Sequence, residues 1–242
     1  MTDGLLLIHA FPLDARMWAP QLGGERTVAP DLPGFGGSDP PAADVTSMAE
    51  SARRCLHALD VAGLDRAVIC GLSMGGYVAF ELWRTARERI AGLVLANTKA
   101  EADTPQAAEG RRALADRLRR EGNVLIASPP PLLSPAASTA LWDQVKSMIA
   151  AQPADWIAAA ALGMALRPDS TPDLPTIDVP TLVITAEGDS LIPPDVTAPM
   201  AEKIPGAKLA VIEGAGHLSN LEQPEEFTRL LREHVARCGV GI

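Results

Sequence analysis

Short uninterrupted apolar runs alternate along the chain with stretches whose apolar residues recur three and four positions apart. Runs at 5–9, 27–30, 67–71, 90–96, 180–186 and 207–212 have the length and composition of buried strands. Helical spacing follows them near 45–62, 75–87, 193–203 and 223–237. Strands covered on both faces read as continuous apolar runs, whereas a strand with one wet face alternates. The pattern therefore predicts an α/β fold: a mostly parallel, open sheet of about six strands with helices on both faces.

The stretch from 99 to 172 breaks this alternation. Thr104-Pro105 reads as a helix start, a charged helix follows from Gln106 to Glu121, and Pro129-Pro130-Pro131 interrupts the chain. Ala-rich helical patterns at 136–151 and 153–166 lead to Pro168 and Pro172. The expected division is a core of residues 1–98 and 173–242 with a helical insertion at 99–172. Trp142, Met148, Trp156, Leu162 and Met164 of the insertion are candidates for pocket walls, although helical spacing of apolar groups equally describes packing onto the core. Arg-rich positions 111–120 alternate with acids at helical spacing and read as a solvated face.

Chemistry enters at Gly71-Leu72-Ser73-Met74-Gly75-Gly76, which joins a strand-like run to a helix-like one. A serine with glycine at −2 and +2 at such a junction describes a nucleophile elbow, a turn too tight for side chains at the flanking positions. A structural serine capping the helix is the competing explanation. A serine hydroxyl needs a base and an orienting acid, which in such folds follow it in the order acid, then histidine. The strand-like run 180–186 leads into Glu187-Gly188-Asp189-Ser190, and the run 207–212 into Glu213-Gly214-Ala215-Gly216-His217. Ser73, Asp189 and His217 thus fall at the carboxyl ends of expected strands, where open α/β sheets place ligands. Glu187, and Asp103 beyond Asn97, are the competing acids. Of the other histidines, His9 follows the first strand, while His57 and His234 fall on helical patterns and read as surface residues.

These motifs resemble the α/β-hydrolase superfamily, in particular its small bacterial esterase and lactonase branch, the 3-oxoadipate enol-lactonase type included. The resemblance spans nearly the whole chain and adds His9-Ala10-Phe11-Pro12 and Asp31-Leu32-Pro33-Gly34-Phe35-Gly36-Gly37-Ser38 to the elbow and the two late loops. It implies Ser73 as nucleophile, His217 as base and then acid, Asp189 as the residue orienting His217, and an oxyanion hole from the Phe11 and Met74 N–H groups. It implies a helical cap at 99–172, with Trp142, Trp156, Leu162 and Met164 toward the substrate, and no metal or organic cofactor. The family usually has glycine where Ala10 stands. It also usually begins with a strand hairpin that this sequence lacks, leaving an edge for a helix, a loop or a neighbouring subunit, so a homo-oligomer is one expectation. The implied activity is cleavage of carboxylic esters or lactones through an acyl-serine. A cofactor-free perhydrolase and a non-catalytic ligand-binding protein are the alternatives.

Composition narrows the partners. A net charge of −9 argues against nucleic acid and anionic membrane. No run approaches the ~20 apolar residues of a membrane span, and Met1-Thr2-Asp3-Gly4 leads directly into a strand-length run. Three cysteines without ligand spacing suit a reducing compartment. The expectation is a cytoplasmic enzyme acting on a small ester or lactone.

Overall fold

A computed structural model describes residues 1–241. Six strands, β1 (Asp3–Ile8), β2 (Thr27–Val28), β3 (Arg66–Leu72), β4 (Ile90–Ala96), β5 (Thr181–Ala186) and β6 (Lys208–Ile212), form one sheet in the order β2-β1-β3-β4-β5-β6. All five pairings are parallel. β3 and β4 occupy the middle, and every residue of β4 is buried. Fully burying each such Val, Leu or Ile contributes roughly 1.5–3 kcal/mol, which is why these runs carry no polar alternation.

Helices α1 (Met48–Val61) and α2 (Met74–Thr85) follow β2 and β3. Ser47 starts α1 by accepting from the Glu50 N–H, the arrangement expected of Ser followed three residues later by Glu. The insertion between β4 and β5 holds α3 (Pro105–Glu121), α4 (Thr139–Ala150) and α5 (Ala154–Ala165), with α3 packed along α5. Thr104 caps α3, with Pro105 in its first turn. The helical pattern at 193–203 is two short helices, α6 (Pro194–Thr197) and α7 (Pro199–Lys203), because Pro199 lacks the N–H that would continue the first. α8 (Ser219–Glu222) and α9 (Pro224–Arg237) complete the order. Among the described residues, no helix is long and apolar enough to cross a membrane.

The insertion is fastened to the loops of the sheet's carboxyl edge. Buried Gln152 donates to Asp14 Oδ2 (2.7 Å) and accepts from Gly36 N–H (2.9 Å), tying the loops after β1 and β2 together. Thr46 N–H donates to Ala159 O (3.0 Å). A Cβ on Gly163 would collide with the Thr46 carbonyl, so α5 reaches this contact only with glycine there. At the β2 end the sheet stops in a strand of two residues, too short to template another chain readily.

His234 departs from the sequence reading. It is buried at 4 % exposure on the stripe of α9 formed with Phe227, Leu231 and Val235, and its Nε2 has no hydrogen-bond partner among the described residues. Burial pushes its pKa down to about 4. His9 is also buried and lowered, chiefly by burial. A histidine held neutral in the fold but free to protonate when unfolded stabilises fully above the unfolded pKa, about 6.5, and loses that contribution as pH falls toward the folded value. The melting temperature is therefore expected to drop between pH 6.5 and 4. In His234→Leu this slope should flatten by up to about 1.4 kcal/mol per pH unit, checked by thermal melts across that range.

Candidate active site

β3 ends at Leu72 and α2 begins at Met74, so Ser73 alone makes the turn, with φ 56° and ψ −114°. Few non-glycine residues adopt this region, at a cost of order 1–3 kcal/mol. The surroundings hold it: Ser73 N–H donates to Ala96 O (2.9 Å), while Ser73 O accepts from Thr98 Oγ1 (2.8 Å) and Gly76 N–H (2.9 Å). A Cβ on Gly71 would strike the Gly75 carbonyl, and one on Gly75 the Ile8 carbonyl. Glycine at 71 thus lets the turn close, and glycine at 75 lets α2 press on the end of β1. Ser73 occupies the N-cap position yet makes no capping hydrogen bond, which removes the structural explanation for a serine here.

The loops after β5 and β6 bring Asp189 and His217 together. His217 Nδ1 donates to Asp189 Oδ2 at 2.8 Å, with both residues almost wholly buried. An ionised carboxylate only accepts, so Nδ1 carries a proton, and in the neutral tautomer this selects Nε2 as the acceptor. Asp189 Oδ1 accepts from the N–H groups of Leu191 and Ile192 (2.9 Å each), and Oδ2 also from Asn97 Nδ2 (2.9 Å). Burial pushes the Asp189 carboxyl up, but His217, the Ile192 N–H and Asn97 outweigh it and hold the pKa below the usual value. Among the described residues, no hydrogen bond joins Ser73 Oγ to the His217 ring. The link between them runs through β4: Asn97, at φ 45°, lies between the residues that bind the Ser73 backbone and is fixed by Ser219 Oγ (2.6 Å).

Glu187 is exposed and reaches only Gly214 N–H, at 3.4 Å. Asp103 turns to Arg111 and Arg167. Neither competing acid touches His217. His9 is spent on backbone: its ring bonds Ala10 O through Nδ1 (3.0 Å), and Leu32 N–H donates to Nε2 (3.0 Å). Ala10 keeps a negative φ, so alanine fits where glycine is usual. Among the described residues, no hydrogen bond takes up the Phe11 or Met74 N–H, and the Met74 group opens the first turn of α2, where the helix dipole favours negative charge.

The candidate wall residues of the insertion have different neighbours, and Met148 is buried in the core. Trp156 packs on Gly34 and lines a surface hollow with Pro41, Asp44 and Arg119. Trp142 and Leu162 are half-buried against the core, while buried Met164 accepts from Arg111 Nη1 through sulfur (3.5 Å).

One residue absent from the sequence reading organises the histidine loop. The Glu222 carboxylate accepts from Gly216 N–H (2.7 Å) and from Ser134 N–H of the insertion (3.0 Å). Leu218 N–H donates to Leu132 O (2.9 Å). A Cβ at Gly216 would lie 2.5 Å from Ser134 N, so glycine permits this seam. The signal was faint: an acid five residues after a histidine names no partner by itself.

Known proteins place this geometry in context. The family model described as the alpha/beta hydrolase family matches residues 5–230. A thermophilic esterase from Thermogutta terrifontis, solved with malate bound, superimposes with a TM-score of 0.91 at 41% identity, covering 98% of this chain and 92% of that one. The pimeloyl-[acyl-carrier protein] methyl ester esterase of Edwardsiella ictaluri is 30% identical over 95% of this chain and 92% of its own. 3-Oxoadipate enol-lactonase 1 of Acinetobacter baylyi is 29% identical over 93% and 86%.

Removing the Glu222 carboxylate strands two buried N–H groups, each worth about 1–3 kcal/mol. In Glu222→Ala, amide hydrogen exchange of the peptide spanning 213–219 should rise about tenfold or more. Glu187→Ala, which gives up only a long contact, should leave it within about twofold.

Proposed function

We propose that this chain, which belongs to the alpha/beta hydrolase family, is a serine hydrolase of carboxylic esters or lactones. The carrying observation is the buried Asp189–His217 pair together with a strained serine whose hydroxyl caps nothing. In this reading His217 Nε2 takes the Ser73 proton as Oγ attacks the substrate carbonyl. The oxyanion is received by the N–H groups of Phe11 and Met74, and each such donor typically contributes about 3–4 kcal/mol in the transition state. Collapse expels the alcohol, protonated by His217, and leaves an acyl-Ser73. The same imidazole then draws a proton from water as the water oxygen attacks the acyl carbonyl, and returns it to Ser73 Oγ as the acyl–Oγ bond breaks and the acid leaves.

Asp189 keeps the imidazole in the tautomer the reaction needs and stabilises the imidazolium that forms. Ester and lactone hydrolysis is also the chemistry named for the enzymes from Edwardsiella ictaluri and Acinetobacter baylyi.

A panel of 4-nitrophenyl esters and simple lactones tests this. Ser73→Ala should lose about 10³-fold or more in kcat/KM, and Asp189→Asn about 10²–10⁴-fold, with each variant folded by circular dichroism. Glu187→Gln should stay within about threefold of wild type. Equal turnover by wild type and Ser73→Ala would remove the proposal, and a loss in Glu187→Gln without one in Asp189→Asn would reassign the acid.

A further inference from the structure

Beyond the acid–base pair, the described residues hold a second group of charges, and its charges do not balance. Asp103, with its side chain 1 % exposed, is shared by three cations: Arg111, Arg167 Nη1 at 2.7 Å and Lys99 Nζ at 3.9 Å. The nearby Glu101 is exposed: its carboxylate acts on Lys99 only through space, its backbone carbonyl accepts from Arg167 Nη2 at 2.8 Å, and three cations still face two carboxylates. Arg167 is the anchor. Its side chain is 3 % exposed, it stacks on the Tyr77 ring at 4.0 Å and it donates to Met164 O at 2.9 Å. Its Nε is buried without a partner.

Lys99 and Arg111 face outward from this anchor, each about a quarter exposed and with donors to spare. Among the described residues, Lys99 makes no hydrogen bond within 3.5 Å. Arg111 has Asp103 on one side and only a long contact to Met164 sulfur on the other. Burial lowers the Lys99 pKa, and the Arg167 charge lowers it further, as expected of an ammonium group lacking enough counter-charge. Half-buried cations in excess are costly without an anion to share.

The location ties this excess to the serine. Lys99 directly follows Thr98, whose hydroxyl binds the Ser73 carbonyl. Tyr77 stands one helical turn, ~6 Å, along α2 from Ser73. The cations thus gather where α3 and the end of α5, both of the insertion, meet α2 and the end of β4.

We propose that Lys99 and Arg111, braced by Asp103 and Arg167, form a subsite for a carboxylate, so that the substrate is an ester or lactone bearing a second, free carboxylate. This rests on the hydrolase reading above and specifies its substrate class. The scissile carbonyl sits at Ser73 while the free carboxylate accepts hydrogen bonds from the ammonium and guanidinium groups. Charge-assisted bonds of this kind are among the stronger single contacts a site can offer.

The experiment compares monomethyl succinate, glutarate and adipate with chain-matched neutral methyl esters by pH-stat, and measures glutarate binding to Ser73→Ala by calorimetry. Wild type should favour the best acidic ester over its neutral counterpart by about tenfold or more in kcat/KM, chiefly through KM. Lys99→Met and Arg111→Met should each collapse that ratio and weaken glutarate binding. Arg112→Met, on the same helix but exposed and paired with Glu109, should preserve both. Neutral esters cleaved through Ser73 with no acidic preference, together with no glutarate binding, would overturn the subsite and leave the hydrolase reading standing. Glutarate binding that depends on Lys99, with no turnover of any ester, would support the subsite and sink the hydrolase reading.

Discussion

The architecture turns on one tight reversal, in which the chain leaves β3 and enters α2 through a single residue with a positive φ. That turn requires the strand, the helix and their two neighbours to meet almost backbone to backbone. Gly71 and Gly75 supply the room, and Ala96 and Thr98 hold Ser73 from the β4 side. The strain is maintained by a sheet whose central strands are buried, so relaxing the turn would mean repacking the core. The result is a hydroxyl set at the rim rather than consumed in a cap.

Around that fixed point the remaining loops are held to one another as much as to the sheet. Asp189 receives four hydrogen bonds, one of them from the imidazole it orients. Glu222 fastens the histidine loop to the insertion, and Gln152 fastens the insertion to the loops after β1 and β2. A movement of the insertion is therefore felt by His217 and by the Phe11 loop together. In the proposed reading, substrate selection and proton transfer would share this frame.

Much of this was legible in the order of residues. Continuous apolar runs announced a parallel sheet because strands covered on both faces leave no place for alternation. The elbow was visible because only glycine permits its close approaches. What escaped were features set by distant pairings. His234 is a helical histidine by local spacing, yet its alignment with Phe227, Leu231 and Val235 was the available sign of burial. Arg111 belongs by composition to a solvated arginine face, and only the return of α5 brings Arg167 and Asp103 beside it. Trp156 and Met164 share one helix but point to different neighbours, which helical spacing alone does not reveal. The helical pattern at 193–203 contained its own break, because Pro199 ends one helix and starts another.

Covalent labelling by a fluorophosphonate, read by intact mass and peptide mapping, tests whether Ser73 is an activated nucleophile. One adduct per chain is expected, carried by Ser73, formed rapidly by the folded protein and slowly by His217→Ala. An adduct on another serine, or a folded wild type that resists labelling altogether, would contradict it.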